Sequence, residues 1–449
     1  MRVNSLHRTG LRRTSPPPLA EAKGPCAETK ADVSDSVELS RADALLPPEV
    51  DKKKVMKLLG LGLMAAGRMI GMVPGPVAPG VVCAREVELS REESRLDQVL
   101  TCALVDSPSQ LKEGGDRASY AFEGLRTHMG GSMESLKERP GDGTITAWPY
   151  GQVMTAALNQ AKLTGDYTDF NQLVKGLERY RHPDGGYSPS PGRFGFHGNR
   201  FMDDNAWLGL VFVQAAQQQP GSDHLDKARD IADFLIETRN PDGGLIWEEG
   251  NKNPSYNTAT FGPTIELSLR LYRLTGEGKY RSAAADMTEI MDRELRRPDG
   301  LYHDNLDLKT GKVEPTVWSY NQGTPVGAHL LWYEITGDST HLSKARETAQ
   351  AALAHFGEDG LWKQPPAFNA IFFRNLMKLE DPLAEKAIDG YLDRAWAEAL
   401  DPETGLFNRP GHGMGSYEGH GNVSTLDQAA LSQLLALRSW ASSDLAIVS

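Results

Sequence analysis

A turn signature returns along this chain at an almost constant interval. It reads Pro183-Asp184-Gly185-Gly186-Tyr187, Pro241-Asp242-Gly243-Gly244-Leu245, Pro298-Asp299-Gly300-Leu301-Tyr302, Glu358-Asp359-Gly360-Leu361-Trp362 and, more weakly, Pro402-Glu403-Thr404-Gly405-Leu406. The successive Asp positions 184, 242, 299 and 359 lie 58, 57 and 60 residues apart. A fixed period of this kind marks one supersecondary unit used repeatedly, each copy burying the apolar face of the next.

A second mark alternates with the first: Leu163-Thr164-Gly165-Asp166-Tyr167, Leu274-Thr275-Gly276-Glu277 and Ile335-Thr336-Gly337-Asp338, with a degenerate copy at Pro220-Gly221-Ser222-Asp223. Glycine ends one helix in the left-handed region and the acidic residue caps the next. Two kinds of helical text fill the intervals. In 223–238 an apolar stripe of Leu225, Ala228, Ile231, Ala232 and Leu235 opposes Asp226, Lys227, Arg229, Asp230 and Glu237. In 206–216 and 326–335 the text is apolar nearly all round, as expected of a helix packed on every side.

The spacing predicts inner helices near 149–163, 203–218, 257–274, 320–336, 366–379 and 423–439. Outer helices are expected near 116–130, 167–180, 223–238, 279–295, 340–356 and 382–400. Six of each, joined pairwise by tight turns, describe an all-α (α/α)6 toroid. Continuous all-β or βαβ readings fail for want of alternating β-branched runs. The outer-to-inner links 181–202, 239–256, 296–319 and 401–422 are long, which assigns function to the face carrying the N-termini of the inner helices.

On that face the residues change character. The inner helices open with Trp148-Pro149-Tyr150, Arg200-Phe201-Met202-Asp203-Asp204-Asn205-Ala206-Trp207, Asn253-Pro254-Ser255-Tyr256-Asn257, Trp318-Ser319-Tyr320-Asn321-Gln322-Gly323, Phe368-Asn369 and Glu418-Gly419-His420-Gly421-Asn422. Rings beside amides and carboxylates suit a sugar, whose C–H faces stack while its hydroxyls need hydrogen-bond partners. The same residues could equally plug a barrel end and cap helices. Asp203-Asp204 is the sharpest feature, because glycoside cleavage needs one carboxyl to protonate the leaving oxygen and one carboxylate at the anomeric carbon. Crowding two like charges raises one pKa toward that of an acid. The alternative is an ordinary acidic N-cap.

RFMDDNAW at 200–207, GGLIW at 243–247 and WSYNQG at 318–323 together resemble glycoside hydrolase family 76 over roughly residues 115–440. The resemblance implies an (α/α)6 α-1,6-mannanase, endo-acting and retaining, with no metal or organic cofactor. It assigns Asp203 as nucleophile and Asp204 as general acid/base. It places Trp247, Tyr320, Asn321 and Gln322 in segments lining the substrate groove, with Asn205 and Trp207 completing the motif around the pair; Trp148, Tyr150, Asn257 and Trp318 join them as expected substrate-binding residues from their own place at the inner-helix starts. The partner implied is an α-mannan polysaccharide or oligosaccharide. Three departures stand out: Met202 precedes the pair where an aromatic residue is expected, Glu248-Glu249 follows Trp247 where another ring is expected, and the third inner helix opens with a Pro-containing stretch, Tyr256 to Pro263. A transglycosylase shares the same covalent intermediate. A mannan-binding protein without turnover and, further off, a sugar epimerase or lyase on the same toroid remain open readings.

Elsewhere the sequence says less. Residues 1–54 carry Pro16-Pro17-Pro18 and no periodicity, and are read as a disordered extension. Lys52-Lys53-Lys54, an apolar run from Val55 to Val73 broken only by Lys57 and Arg68, and the small-residue end Val82-Cys83-Ala84 make 55–84 signal-peptide-like. Export to the outside or cell surface is therefore expected, with a cytoplasmic location as the alternative. The apolar run is short for a membrane span. Residues 85–114 read as a leader, 115–440 as the catalytic domain and 441–449 as a tail. A net charge of −12, from 60 Asp and Glu against 48 Lys and Arg, argues against nucleic acid as partner. Three cysteines, Cys26, Cys83 and Cys102, provide neither a disulfide framework nor a thiolate zinc site. His412, Glu418 and His420 share a Gly-rich loop that reads as cleft rim, and His197 as a loop residue near the Asp pair.

Overall fold

The computed structural model describes residues 114–448 apart from 130–131, 140–142, 193–196 and 409–422. The extension 1–54, the signal-like segment 55–84, the leader up to residue 113, all three cysteines and the loop with His412, Glu418 and His420 lie outside the described residues.

Within them, outer and inner α-helices alternate. The outer set is α1 (Gly114–His128), α3 (Thr168–Leu177), α5 (His224–Glu237), α7 (Gly278–Glu294), α9 (Ser339–Lys363) and α11 (Pro382–Glu398). The inner set is α2 (Ala147–Thr164), α4 (Met202–Gln218), α6 (Thr258–Thr275), α8 (Tyr320–Thr336), α10 (Pro366–Leu376) and α12 (Thr425–Arg438). Each inner helix packs against the next, and α12 returns to pack against α2 and α1, which closes an (α/α)6 toroid. Closure is also polar. Thr425 N–H reaches Glu138 O at 3.0 Å, the Trp440 indole donates to Asn159 O at 3.1 Å, and Arg117 of α1 pairs with Asp393 of α11 at 2.8 Å.

The burial pattern follows the two kinds of helical text. In α4 Leu208, Leu210, Val211, Phe212 and Val213 are all buried whichever way they point, whereas α5 buries only Ala228, Ile231, Ala232, Phe234 and Leu235 among its apolar positions. The hydrophobic core fills the space around the inner ring. Polar residues on neighbouring inner helices bond to each other: Gln214 donates to Asn159 at 2.7 Å and Gln433 to Gln152 at 3.1 Å. Gly165, Gly276 and Gly337 end α2, α6 and α8 at φ of 75°, 74° and 72°, a region only glycine enters cheaply.

Three features differ from the sequence expectation. Glu358-Asp359-Gly360-Leu361-Trp362 is helical, lying beyond a break at Gly357 (φ 56°) inside α9, so the fourth turn mark forms no loop and α10 follows almost at once. A small antiparallel sheet, β1 (Ser255–Asn257), β2 (Asn305–Asp307) and β3 (Val313–Glu314), links two of the long loops. Strands of two or three residues leave no alternation to read. The segment after α12 forms a 3-10 helix over Ser442–Ile447, and its buried Val448 carbonyl accepts from Arg270 of α6.

Candidate active site

The turn signature and the inner-helix N-termini form one repeated device. In the second inner helix the Asn205 amide accepts from Tyr187 N–H at 2.7 Å and donates to Tyr187 O at 3.0 Å. Gln322 holds both backbone groups of Tyr302 (2.8 and 3.1 Å), and Gln428 holds those of Phe407 (2.7 and 2.7 Å). Each held residue pairs as a bridge with the residue before its turn. An amide side chain offers one acceptor and two donors, so it can replace a missing strand partner. At the first of these clamps Gly186 has φ 64°, and a Cβ there would sit 2.8 Å from Asn205 Oδ1.

The clamps fix where α4 begins, and Asp203 and Asp204 occupy its first turn, where aligned peptide N–H groups favour negative charge. Asp203 is held on both oxygens: the Trp247 indole donates to Oδ2 at 2.9 Å and the Asp204 backbone N–H to Oδ1 at 3.0 Å. Both carboxyls keep some contact with solvent but are surrounded by protein, so burial is the largest influence on each. Burial pushes Asp203 up to about 6, after its hydrogen bonds have pulled it partly back. Among the described residues Asp204 has no such donors; burial and the neighbouring Asp203 charge raise it well above the ordinary carboxylate range. The two hydrogen bonds thus favour the ionised form at Asp203 over that at Asp204.

A third carboxyl, Asp304, faces the pair closely enough to raise Asp203 further. It accepts from Asn321 Nδ2 and Asn305 Nδ2, both at 2.9 Å, and burial raises its own pKa. Tyr320, its phenol raised by burial and then by Asp304 and Asp203, stands beside them. Its ring begins an aromatic wall: Tyr320 and Phe368 centroids are 4.0 Å apart, with Trp318 5.5 Å and Trp148 5.9 Å from Phe368. These rings come from α2, α8, α10 and the loop before α8, so the wall joins opposite sides of the inner ring.

Of the residues singled out in the sequence, the structure therefore brings together Asp203, Asp204, Trp247, Tyr320, Asn321, Trp318 and Trp148. Asn257 lies at the edge, in register with Asn305, its side-chain carbonyl taken by Ser255 at 2.6 Å. Four others are placed in the scaffold. Tyr150 is fully buried and its hydroxyl donates to Leu173 O at 2.8 Å. Asn205 and Gln322 spend their amides on the clamps. Trp207 is buried one turn below the pair, under the Arg374 guanidinium. His197 contacts Ser188 (3.4 Å) and the His182 ring (centroids 5.1 Å). Asp304 was not singled out, yet it stands five residues after Asp299 as Trp247 stands five after Asp242, so the repeat register marks both as cleft positions. Among the described residues no group of three or more His, Cys, Asp or Glu is arranged to hold a metal ion.

Comparison with known proteins bears on this site. The chain is 23% identical over 175 residues to mannan endo-1,6-alpha-mannosidase DFG5 of Candida albicans, covering 34% of this chain and 38% of that relative, so the match spans well under half of the relative's length. A family 76 glycoside hydrolase from a bovine Bacteroides thetaiotaomicron strain superposes with TM-score 0.63 at 23% identity, covering 73% of this chain and 78% of that one. An inactive variant of an alpha-1,6-mannanase from Salegentibacter sp., with two consecutive aspartates replaced and alpha-1,6-mannotriose bound, superposes with TM-score 0.61 at 19% identity, covering 73% and 99%. The family model for glycosyl hydrolase family 76 matches residues 116–430, and the chain belongs to that family.

Proposed function

We propose that this protein is an endo-acting glycoside hydrolase that cleaves α-1,6-mannosidic linkages with retention, through a covalent mannosyl-enzyme intermediate. The observation that carries the reading is the asymmetry between adjacent carboxyls: among the described residues Asp203 is held by two donors and Asp204 by none, while burial and the Asp203 charge raise Asp204 well above the carboxylate range. A carboxylate kept ionised by hydrogen bonds is suited to attack C1. A neighbour kept protonated is suited to donate to the leaving oxygen. That a solved relative was inactivated by replacing two consecutive aspartates, and binds α-1,6-mannotriose, supports both the residues and the linkage.

In the first step Asp203 forms a bond to C1 while Asp204 gives its proton to the departing glycosidic oxygen. In the second, Asp204, now a carboxylate, takes a proton from water as that water displaces Asp203 from C1. Asp304, held in place by Asn321 and Asn305, can accept a hydrogen bond from a hydroxyl of the ring bound over Asp203 through its remaining lone pairs, while the fully buried Asn321 orients it from behind. Trp318, Tyr320, Phe368 and Trp148 supply an apolar face for sugars farther along the chain, as an endo-acting cleft requires. Such a polymer lies outside the cell, in keeping with the basic, apolar and small-residue pattern over 52–84. Proton NMR during cleavage of an α-1,6-mannan oligosaccharide tests the mechanism. The α-anomer of the new reducing end should form first; a β-anomer formed first overturns retention.

A further inference from the structure

We propose that Arg200 is a positioning residue for Asp203, pinning together two long loops so that the Trp247 indole meets the carboxylate; this rests on the reading of Asp203 as nucleophile. Neither Arg200 nor its partner Glu249 touches the reacting groups. Arg200 lies three residues before the pair, its side chain 6% exposed. Its guanidinium is fully engaged in a fork. Nε donates to Glu249 Oε2 at 2.9 Å, Nη2 to Glu249 Oε1 at 2.5 Å, and Nη1 to the carbonyls of Asp184 and Gly185 at 2.8 and 2.6 Å. The same group lies 4.4 Å from the Phe234 ring centroid on α5.

The backbone around this fork forms a short antiparallel ladder. Glu249 N–H donates to Arg200 O at 3.0 Å and Met202 N–H to Trp247 O at 2.9 Å, with Phe201 and Glu248 bridged between them. Asp203 follows directly on one side and Trp247 stands on the other, with Phe201 packed on the Trp247 ring at 4.9 Å. An isolated two-residue ladder between loops is weak on its own. A buried planar fork tying it to the 183–186 turn fixes its register, and only an arginine can reach a carboxylate and two carbonyls together. The Glu248-Glu249 dipeptide, anomalous as sugar-groove sequence, thereby acquires a role.

The test is the Trp247 indole resonance in ¹H–¹⁵N TROSY spectra of the full chain, assigned among eight tryptophans by Trp247→Phe, together with kinetics on α-1,6-mannan. In the wild type this signal should lie downfield and follow the ionisation of Asp203. In Arg200→Met it should lose that displacement. The kcat should fall about 10- to 100-fold with KM within twofold, and the acid limb should move as in Trp247→Phe. Arg200→Met/Trp247→Phe should be no slower than Trp247→Phe alone. Arg200→Lys should recover only part of the loss. Glu249→Gln, which keeps the fork's shape and its two carbonyl bonds, is the variant to use should Arg200→Met not fold, and it should weaken the same resonance shift. Folded Arg200→Met or Glu249→Gln protein with an unchanged indole signal and kcat within twofold overturns the proposal. A wild type that leaves mannan intact would sink the mannanase reading instead, while the indole signal still decides the role of Arg200.

Discussion

The indole N–H of Trp247, from the loop before α6, donates to Asp203 Oδ2 in the first turn of α4 at 2.9 Å, across a separation of 44 residues in sequence. The bond favours the ionised form of the lower-pKa member of an acidic pair, so the Trp247 ring positions a carboxylate as well as forming part of the cleft.

Trp247→Phe keeps the ring and removes the donor. A hydrogen bond to a charged group contributes about 1.5–3 kcal/mol, so kcat/KM should fall about 10- to 100-fold. Asp203 should ionise at higher pH, moving the acid limb of the kcat/KM profile upward. An acid limb unchanged from wild type would mean that the bond does not form in solution.

The wild-type pH profile should be a bell. Activity should rise as Asp203 ionises near pH 6 and fall at higher pH as Asp204 loses its proton. Stability should move oppositely on the acid side. Asp203 has a folded pKa above its unfolded value, so the stability it contributes is fully present below about pH 4 and is lost as pH rises through about 6. Asp203→Asn should therefore match the wild type near pH 4 and exceed it by up to about 3 kcal/mol well above pH 6 in urea unfolding. Equal stability at both pH values would contradict the burial of the carboxylate.

The amide clamps separate scaffold from groove. Gln428→Ala leaves the buried N–H and C=O of Phe407 without partners and should cost about 2–4 kcal/mol. Gln322→Ala should behave alike, losing stability while KM for mannan stays within about twofold below the melting transition. A large rise in KM without loss of stability would return Gln322 to the groove.

The sequence marked the ring of helices through periodicity because glycine C-caps and all-apolar inner segments are local signals. It could not distinguish an amide that binds sugar from one that binds backbone: Asn205 and Gln322 sit at helix N-termini just as a ligand-binding amide would, and only the approach of Tyr187 and Tyr302 reveals their use. Tyr150 carried the same ambiguity, since an aromatic residue at an inner-helix start can face the mouth or turn inward toward α3. Asp304 went unread for the opposite reason. It lies in a long loop with no helix to advertise it, and the small sheet that presents it has strands too short for a pattern.

The aromatic wall should contribute binding to ground state and transition state alike. Trp318→Ala removes a half-buried ring that packs on Phe368 at 5.5 Å. KM for mannan should rise about 5- to 20-fold with kcat little changed, consistent with a contribution on the order of 1–2 kcal/mol. A fall in kcat at unchanged KM would place that ring next to the reacting bond instead.

The most direct measurement is release of new reducing ends from α-1,6-mannan by the wild type, Asp203→Asn and Asp204→Asn, each checked for folding by circular dichroism. The wild type should release them and both variants should lose at least about 10³-fold in kcat, as expected when either member of a nucleophile and acid pair is removed. Folded variants that cleave mannan as fast as the wild type would reduce Asp203 and Asp204 to the cap of an inner helix.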